Sequence, residues 1–241
     1  CLLSRGLGDV YKRQESQRKL MEAIAETGKP VVLCLMAGSD IDLSYAEEHF
    51  DAVMVLWYPG AEGGKAAARV LFGDVSPSGK LPVTFYNTLE ELPDFTDYAM
   101  KGRTYRYMTE NPLFPFGHGL SYTTFQYGNA SLNTSEIKDG EQVTLTIPVS
   151  NTGKYDGEEV VQVYLRHPGD KEGPSHALRA FKRVAIAKGA TNNVTIPLSK
   201  ENFEWFDTST NTMRPIEGDY EILYGGTSEL KQLKSIPVTI K

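Results

Sequence analysis

Cysteine is almost absent. The 241 residues carry two, Cys1 and Cys34, which excludes a disulfide framework and leaves the redox compartment open. Cys34 sits in the apolar run VVLCLM, where a small buried thiol is expected. An excess of positive charge is missing too. With 25 Lys and Arg against 31 Asp and Glu, the formal net charge is −6, so the basic field that neutralises nucleic-acid phosphates is not there. No apolar run approaches the roughly 18 residues of a membrane span, and no charged start followed by an apolar core marks an export signal. Neither nucleic acid nor membrane is an expected partner. The four histidines, His49, His118, His167 and His176, stand singly, and none has a metal-ligand spacing. No metal or other cofactor is expected.

What is present is ordinary globular composition: 40% hydrophobic and 23% charged residues, enough for one large domain or two ordinary ones. The opening CLLSRGLGDVYKRQ has no periodicity. It reverse-translates, as in GAT GTG TAT AAG AGA CAG for DVYKRQ, into the end of a transposase-based sequencing-library adapter. Residues 1–14 are therefore expected to be an assembly artefact or a disordered tail, outside fold reasoning.

From Glu15 the pattern ESQRKLMEAIAETG puts Leu20, Met21 and Ile24 on one helical face, with Gly28 as a C-terminal cap. KPVVLCLMAG reads as a strand covered on both faces. LSYAEEHFD reads as a short helix opened by Ser44, AVMVLWYPG as a second buried strand, and KAAARVLFG as a helix stopped by Gly73. Alternating helix and strand predict the end of an α/β domain with a mainly parallel sheet over residues 15–86. Residues 87–126 form an irregular, aromatic linker and domain seam. Residues 127–241 turn to period-two runs: EQVTLTIPVSN, EEVVQVYLRH, LRAFKRVAI, NNVTIPLS, GDYEILYGG and QLKSIPVTIK. They predict an antiparallel β-sandwich of roughly seven strands on the immunoglobulin or fibronectin plan.

Few motifs carry chemistry. WYPGAEGGKA joins a strand to a helix but is one residue short of a phosphate loop, has Ala66 for the needed hydroxyl, and places the repelling Glu62 in the turn. Its position still matters, because ligands of open α/β sheets gather at the C-terminal strand ends. Tyr58 and Glu62 are the substrate-cleft candidates; the alternative has Glu62 capping the helix and Trp57 with Tyr58 packing under a neighbouring domain. GLSYT lacks the second glycine of a nucleophile elbow, so Ser121 reads as a turn residue. Carboxylates are plentiful (Asp40, Asp42, Glu47, Glu48, Asp51, Glu62, Asp74), yet spacing singles out no acid–nucleophile pair. In MKGRTYRYM, Arg103 and Arg106 are expected to pair with the upstream EELPDFTD and not to stack bases. The aromatic run NPLFPFGHGLSYTTFQY is expected to fill a seam with Phe114, Phe116, Tyr122 and Phe125, His118 packing among them.

In this order, WYPGAEGG, LFGDVSPSGKLPVTF, GRTYRYM and PFGHGLSYTTF resemble the C-terminal portion of a family 3 glycoside hydrolase, from Glu15 to Lys241. DYAMKGRTYRYM is similar to β-xylosidase-like members more than to β-glucosidases. The resemblance implies a retaining, metal-free, exo-acting hydrolase of β-linked oligosaccharides, secreted or periplasmic. It also implies that the nucleophilic Asp lies on an N-terminal barrel and the acid Glu upstream of residue 15. No carboxylate here inherits either role, and the partners are the missing barrel and, through it, the oligosaccharide. The alternative is a stand-alone carbohydrate-binding or adhesion module on the sandwich. It would need a line of exposed aromatics, for which the chain offers Tyr155, Tyr164, Trp205, Phe206 and Tyr220.

Overall fold

A computed structural model describes residues 15–94, 96–138 and 141–241. The 1–14 stretch lies outside the described residues. The first part is helix α1 (Glu15–Ala25), strand β1 (Val32–Leu35), helix α2 (Ser44–His49), strand β2 (Ala52–Val55) and helix α3 (Gly63–Leu71). β1 and β2 pair in parallel, Val32 opposite Ala52 through Leu35 opposite Val55. Gly28 (φ 64°) and Gly73 (φ 79°) sit in the left-handed region just past α1 and α3, as helix C-terminal glycines do.

Three local expectations change. Cys34 is exposed, not buried, and so is Val32. The two-stranded sheet is packed on one face only, over a small core of Leu35, Ala37, Leu43 and Phe85. In α1 only Met21 is buried, while Leu20 and Ile24 are exposed. Ser44 is the first residue of α2 and no cap; the Asp42 carboxylate accepts its backbone N–H at 3.0 Å, an Asx turn.

A short helix α4 (Thr104–Tyr107) leads to the sandwich. Strands β3 (Phe125–Tyr127), β4 (Ser131–Leu132), β6 (Val143–Asn151) and β9 (Thr191–Leu198) make one sheet, with β6 central. The other runs in the order β5 (Glu136–Ile137), β13 (Lys234–Ile240), β12 (Gly218–Gly225), β7 (Gly157–Arg166), β8 (Ala177–Ile186). A hairpin of β10 (Glu204–Asp207) and β11 (Thr212–Pro215) stands beside them. Each of the six expected runs is a strand. β3, β4, β5 and the hairpin are additions, too short or too polar to stand out as patterns.

β6 shows why the two sheets meet where they do. Val143, Leu145, Ile147 and Val149 alternate into the core and are fully buried, the period-two consequence of the pleat. They face Val161, Val163, Leu165, Tyr220, Ile222 and Val238 of the opposing sheet. β7 departs from alternation, being buried from Val161 through Leu165 on both faces. Its outward residues, Gln162 and Tyr164, lie beneath the segment that joins the two parts of the chain.

That joint is a built contact. The Phe116 ring stacks on Tyr105 at 4.7 Å, and Tyr105 meets Tyr164 and His176 edge-on at 5.8 and 5.1 Å. Phe114 lies between Phe85 and His118, at 6.2 and 5.2 Å, so His118 packs as expected. Gln162 donates to the carbonyls of Gly117 and Gly226 at 3.1 and 2.7 Å. Gly117 has φ 76°, and a Cβ there would fall 2.0 Å from the Gln162 amide oxygen; no other residue fits. Tyr122 does not join this packing. Its ring is exposed and its hydroxyl donates to the Val70 carbonyl.

Candidate functional site

The parallel pairing carries the chain out of β1 and β2 at the same edge, Leu56 N–H donating to Leu35 O at 2.8 Å. Two loops, residues 36–43 and 56–62, therefore rise side by side where α/β sheets bind ligands. Trp57 takes φ 53°, a left-handed conformation costly for a bulky residue and frequent at functional sites. Its ring turns down onto Phe85, at 6.3 Å edge-on. Tyr58 points the other way and is 72% exposed. It lies against Gly38, where a Cβ would fall 2.5 Å from the ring; only glycine lets the tyrosine settle there.

The first of these loops carries Asp40. Its carboxyl accepts the Tyr86 backbone N–H, and burial, with the charge of Asp42 adding to it, pushes its pKa up to about 6. It was legible in the sequence only as one of many acids; the signal that marks it is its place in AGSD directly after a strand. Glu62 precedes α3 without a side-chain cap bond, is exposed, and pairs with Lys65 at 3.3 Å. Glu62 thus holds the N-cap position of α3 without a side-chain cap bond, and Trp57 packs on Phe85 while Tyr58 is exposed in this chain. Among the described residues, no three His, Cys, Asp or Glu side chains are grouped to hold a metal ion.

Further along, Lys80 meets Glu159 at 3.3 Å, and the Tyr127 hydroxyl donates to the same Glu159 oxygen at 2.9 Å. Burial raises the Glu159 pKa against the opposing pull of Lys80. His176 is held by Ser175 Oγ at 2.7 Å and Ser228 O at 2.9 Å, and burial lowers its pKa to about 4. It is a neutral, structural imidazole at neutral pH. Of the arginines of GRTYRYM, Arg103 meets the upstream EELPDFTD as expected, though through that stretch's main chain. Arg103 donates to the main-chain carbonyls of Asp94 and Asp97, not to their carboxylates, and Arg106 turns instead towards the sandwich.

Most of the sandwich aromatics named for a binding face are core. Tyr164, Trp205 and Tyr220 are buried at 0, 2 and 1% exposure, which takes three of the five named aromatics out of any platform; Tyr155, Phe206 and, on β8, Phe181 are exposed. No described helix is long and apolar enough to cross a membrane.

Comparison with known proteins agrees with this architecture. The family profile described as "Glycosyl hydrolase family 3 C-terminal domain" matches residues 8–122, and "Fibronectin type III-like domain" matches residues 159–228. A "Xylan 1,4-beta-xylosidase" of Xylanibacter ruminicola is 48% identical over 93% of this chain and 26% of its own length. A "Periplasmic beta-glucosidase" of Salmonella typhimurium is 36% identical over 80% of this chain and 27% of its own. Among solved structures, a β-glucosidase from Erythrobacter marinus superposes with a TM-score of 0.85 at 34% identity, over 99% of this chain and 32% of that one. The chain thus spans about a quarter to a third of the length of the relatives it matches. It belongs to the family 3 glycoside hydrolases, as a C-terminal portion in which an α/β segment is followed by a fibronectin type III-like sandwich.

Proposed function

We propose that this chain is part of a retaining β-glycosidase that removes sugars from the non-reducing ends of β-linked oligosaccharides, β-xylosides ahead of β-glucosides. The observation that carries the xyloside preference is the 48% identity to a xylan 1,4-beta-xylosidase, in agreement with the DYAMKGRTYRYM stretch. Retaining hydrolysis needs a carboxylate nucleophile and a carboxylic acid about 5–5.5 Å apart, working through a covalent glycosyl-enzyme. In this reading both carboxylates come from the rest of the longer protein. The present chain contributes a wall of the cleft at the ends of β1 and β2. Tyr58 offers a ring on which the apolar face of a sugar can lie, Asp40 a carboxyl that can accept a sugar hydroxyl, and Glu62 a charge at the rim. Export from the cytoplasm belongs to the same reading, supported by the relative named as periplasmic.

The test is a pair of assays on aryl β-xylosides and β-glucosides. The longer protein, expressed with its upstream reading frame, is expected to hydrolyse the xyloside with the higher kcat/KM. The 241-residue polypeptide alone is expected to turn over neither. Specific hydrolysis by the polypeptide itself, or none by the longer protein, overturns the proposal.

A further inference from the structure

Two arginines lie on the two sides of the joint, Arg106 on α4 and Arg179 on β8. α4 docks onto the start of β8 through Leu178 N–H to Tyr105 Oη at 3.0 Å and Ser175 N–H to Arg106 O at 2.7 Å. Arg106 therefore lies against the stretch that carries Arg179. The β7–β8 register slips between Val163 and Tyr164, so that Val163 faces Ala180 and Tyr164 faces Leu178. Arg179 is the extra residue of that bulge, and bulges re-aim side chains. Its guanidinium lies 5.5 Å over the Trp205 ring and donates to Glu204 O at 2.6 Å.

Each arginine keeps one unpaired donor. The Nε atoms of both are buried and have no hydrogen-bond partner among the described residues. Burying a charge is costly unless it is paired, and here Arg106 and Arg179 repel each other. The nearby acids do not resolve this. Glu204 attracts Arg179 at longer range but bonds it only through its main-chain carbonyl. Asp170 is taken up by Trp205 Nε1 and the N–H groups of Glu172 and Gly173. Buried donors left unpaired call for an acceptor, and Ser228 Oγ is a third unpartnered buried atom among the described residues. Two planar guanidinium groups select an oxyanion over water, since each can bond two oxygens of a carboxylate or phosphate.

We infer that Arg106 and Arg179 form an oxyanion-binding site at the joint, taking a carboxylate or a phosphate-like group between α4 and the β8 bulge. The occupant bridges the two parts of the chain and offsets the repulsion between the two cations. It is either a free anion or a carboxylate side chain from the rest of the longer protein. The site stands on this chain's own residues and does not depend on the glycosidase reading.

The experiment is thermal unfolding of the 241-residue chain in phosphate and in acetate, against sodium chloride at equal ionic strength. Wild type is expected to gain about 3 °C at anion concentrations about tenfold above half-saturation. Arg106→Met should lose that gain while keeping any general salt effect, and Arg106→Lys should keep part of it. The longer protein separates the sources. A persisting gain identifies a free anion; a gain abolished there, with Arg106→Met still destabilising, identifies an internal carboxylate. The same response in wild type and Arg106→Met, for both anions, overturns the site.

Discussion

At the scale of single residues, chemistry is set by what surrounds a side chain. His176 is ordinary in sequence, yet in the fold it is 2% exposed, wedged between Tyr105 and Tyr164, with its pKa lowered to about 4. An unfolded histidine titrates near 6.5. Between those values the unfolded chain binds the extra proton, so this residue's contribution is present at neutral pH and is lost as pH falls from about 6.5 towards 4. Its full size is at most about 3 kcal/mol. Urea unfolding at pH 7 and pH 4.5 should therefore show a smaller difference for His176→Gln than for wild type; equal differences would remove histidine from the acid sensitivity. Asp40 works in the opposite sense. Its raised pKa favours the protonated fold, so its contribution declines as pH rises through about 6. The sequence named Tyr58 and Glu62 as one pair of candidates. In the fold Tyr58 lies against Gly38, and Glu62 pairs with Lys65.

At the scale of elements, the joint includes a buried ion pair. Lys80 and Glu159 keep 15% and 6% side-chain exposure, and Lys80 also donates to Gly119 O at 3.1 Å, tying the linker to β7. Removing one partner strands the other. Lys80→Met should cost about 3 kcal/mol, whereas Lys80→Met with Glu159→Leu should recover much of it. The loss should be smaller at pH 5 than at pH 8, because burial already raises the Glu159 pKa and a lone Glu159 accepts a proton more readily still. Denaturant unfolding of the two single variants and the double variant closes the cycle. An additive result would show that the pair is not coupled. Long strands such as β6 were legible because alternation is local. β4, β5 and the β10–β11 hairpin were not, since two- to four-residue strands exist only through their partners. Cys34 was misread for a related reason: an apolar strand does not say how many of its faces are covered.

At the scale of the whole molecule, the two parts are unequal. The sandwich has a continuous core spanning both sheets; the α/β segment has a core cluster of four buried hydrophobics beneath a two-stranded sheet, a size marginal for independent stability. Residues 124–241 alone are expected to fold and unfold cooperatively, at a lower midpoint than the full chain because Gln162, Tyr164 and His176 lose their cover from Tyr105, Phe116 and Gly117. Near-ultraviolet circular dichroism on heating checks this, and an unfolded fragment at 25 °C would show that the joint is part of the sandwich's own core. By itself the sequence determined the alternation of helix and strand, the change to a sandwich and the family, since periodicity and motif order are written residue by residue. Only the tertiary structure decided that Trp205 and Tyr220 are core, that burial raises the Asp40 pKa, and that the charge of Arg106 acts on Arg179. Those outcomes rest on contacts between distant parts of the chain, and burial, which sets charge and exposure, is a property of the packed whole.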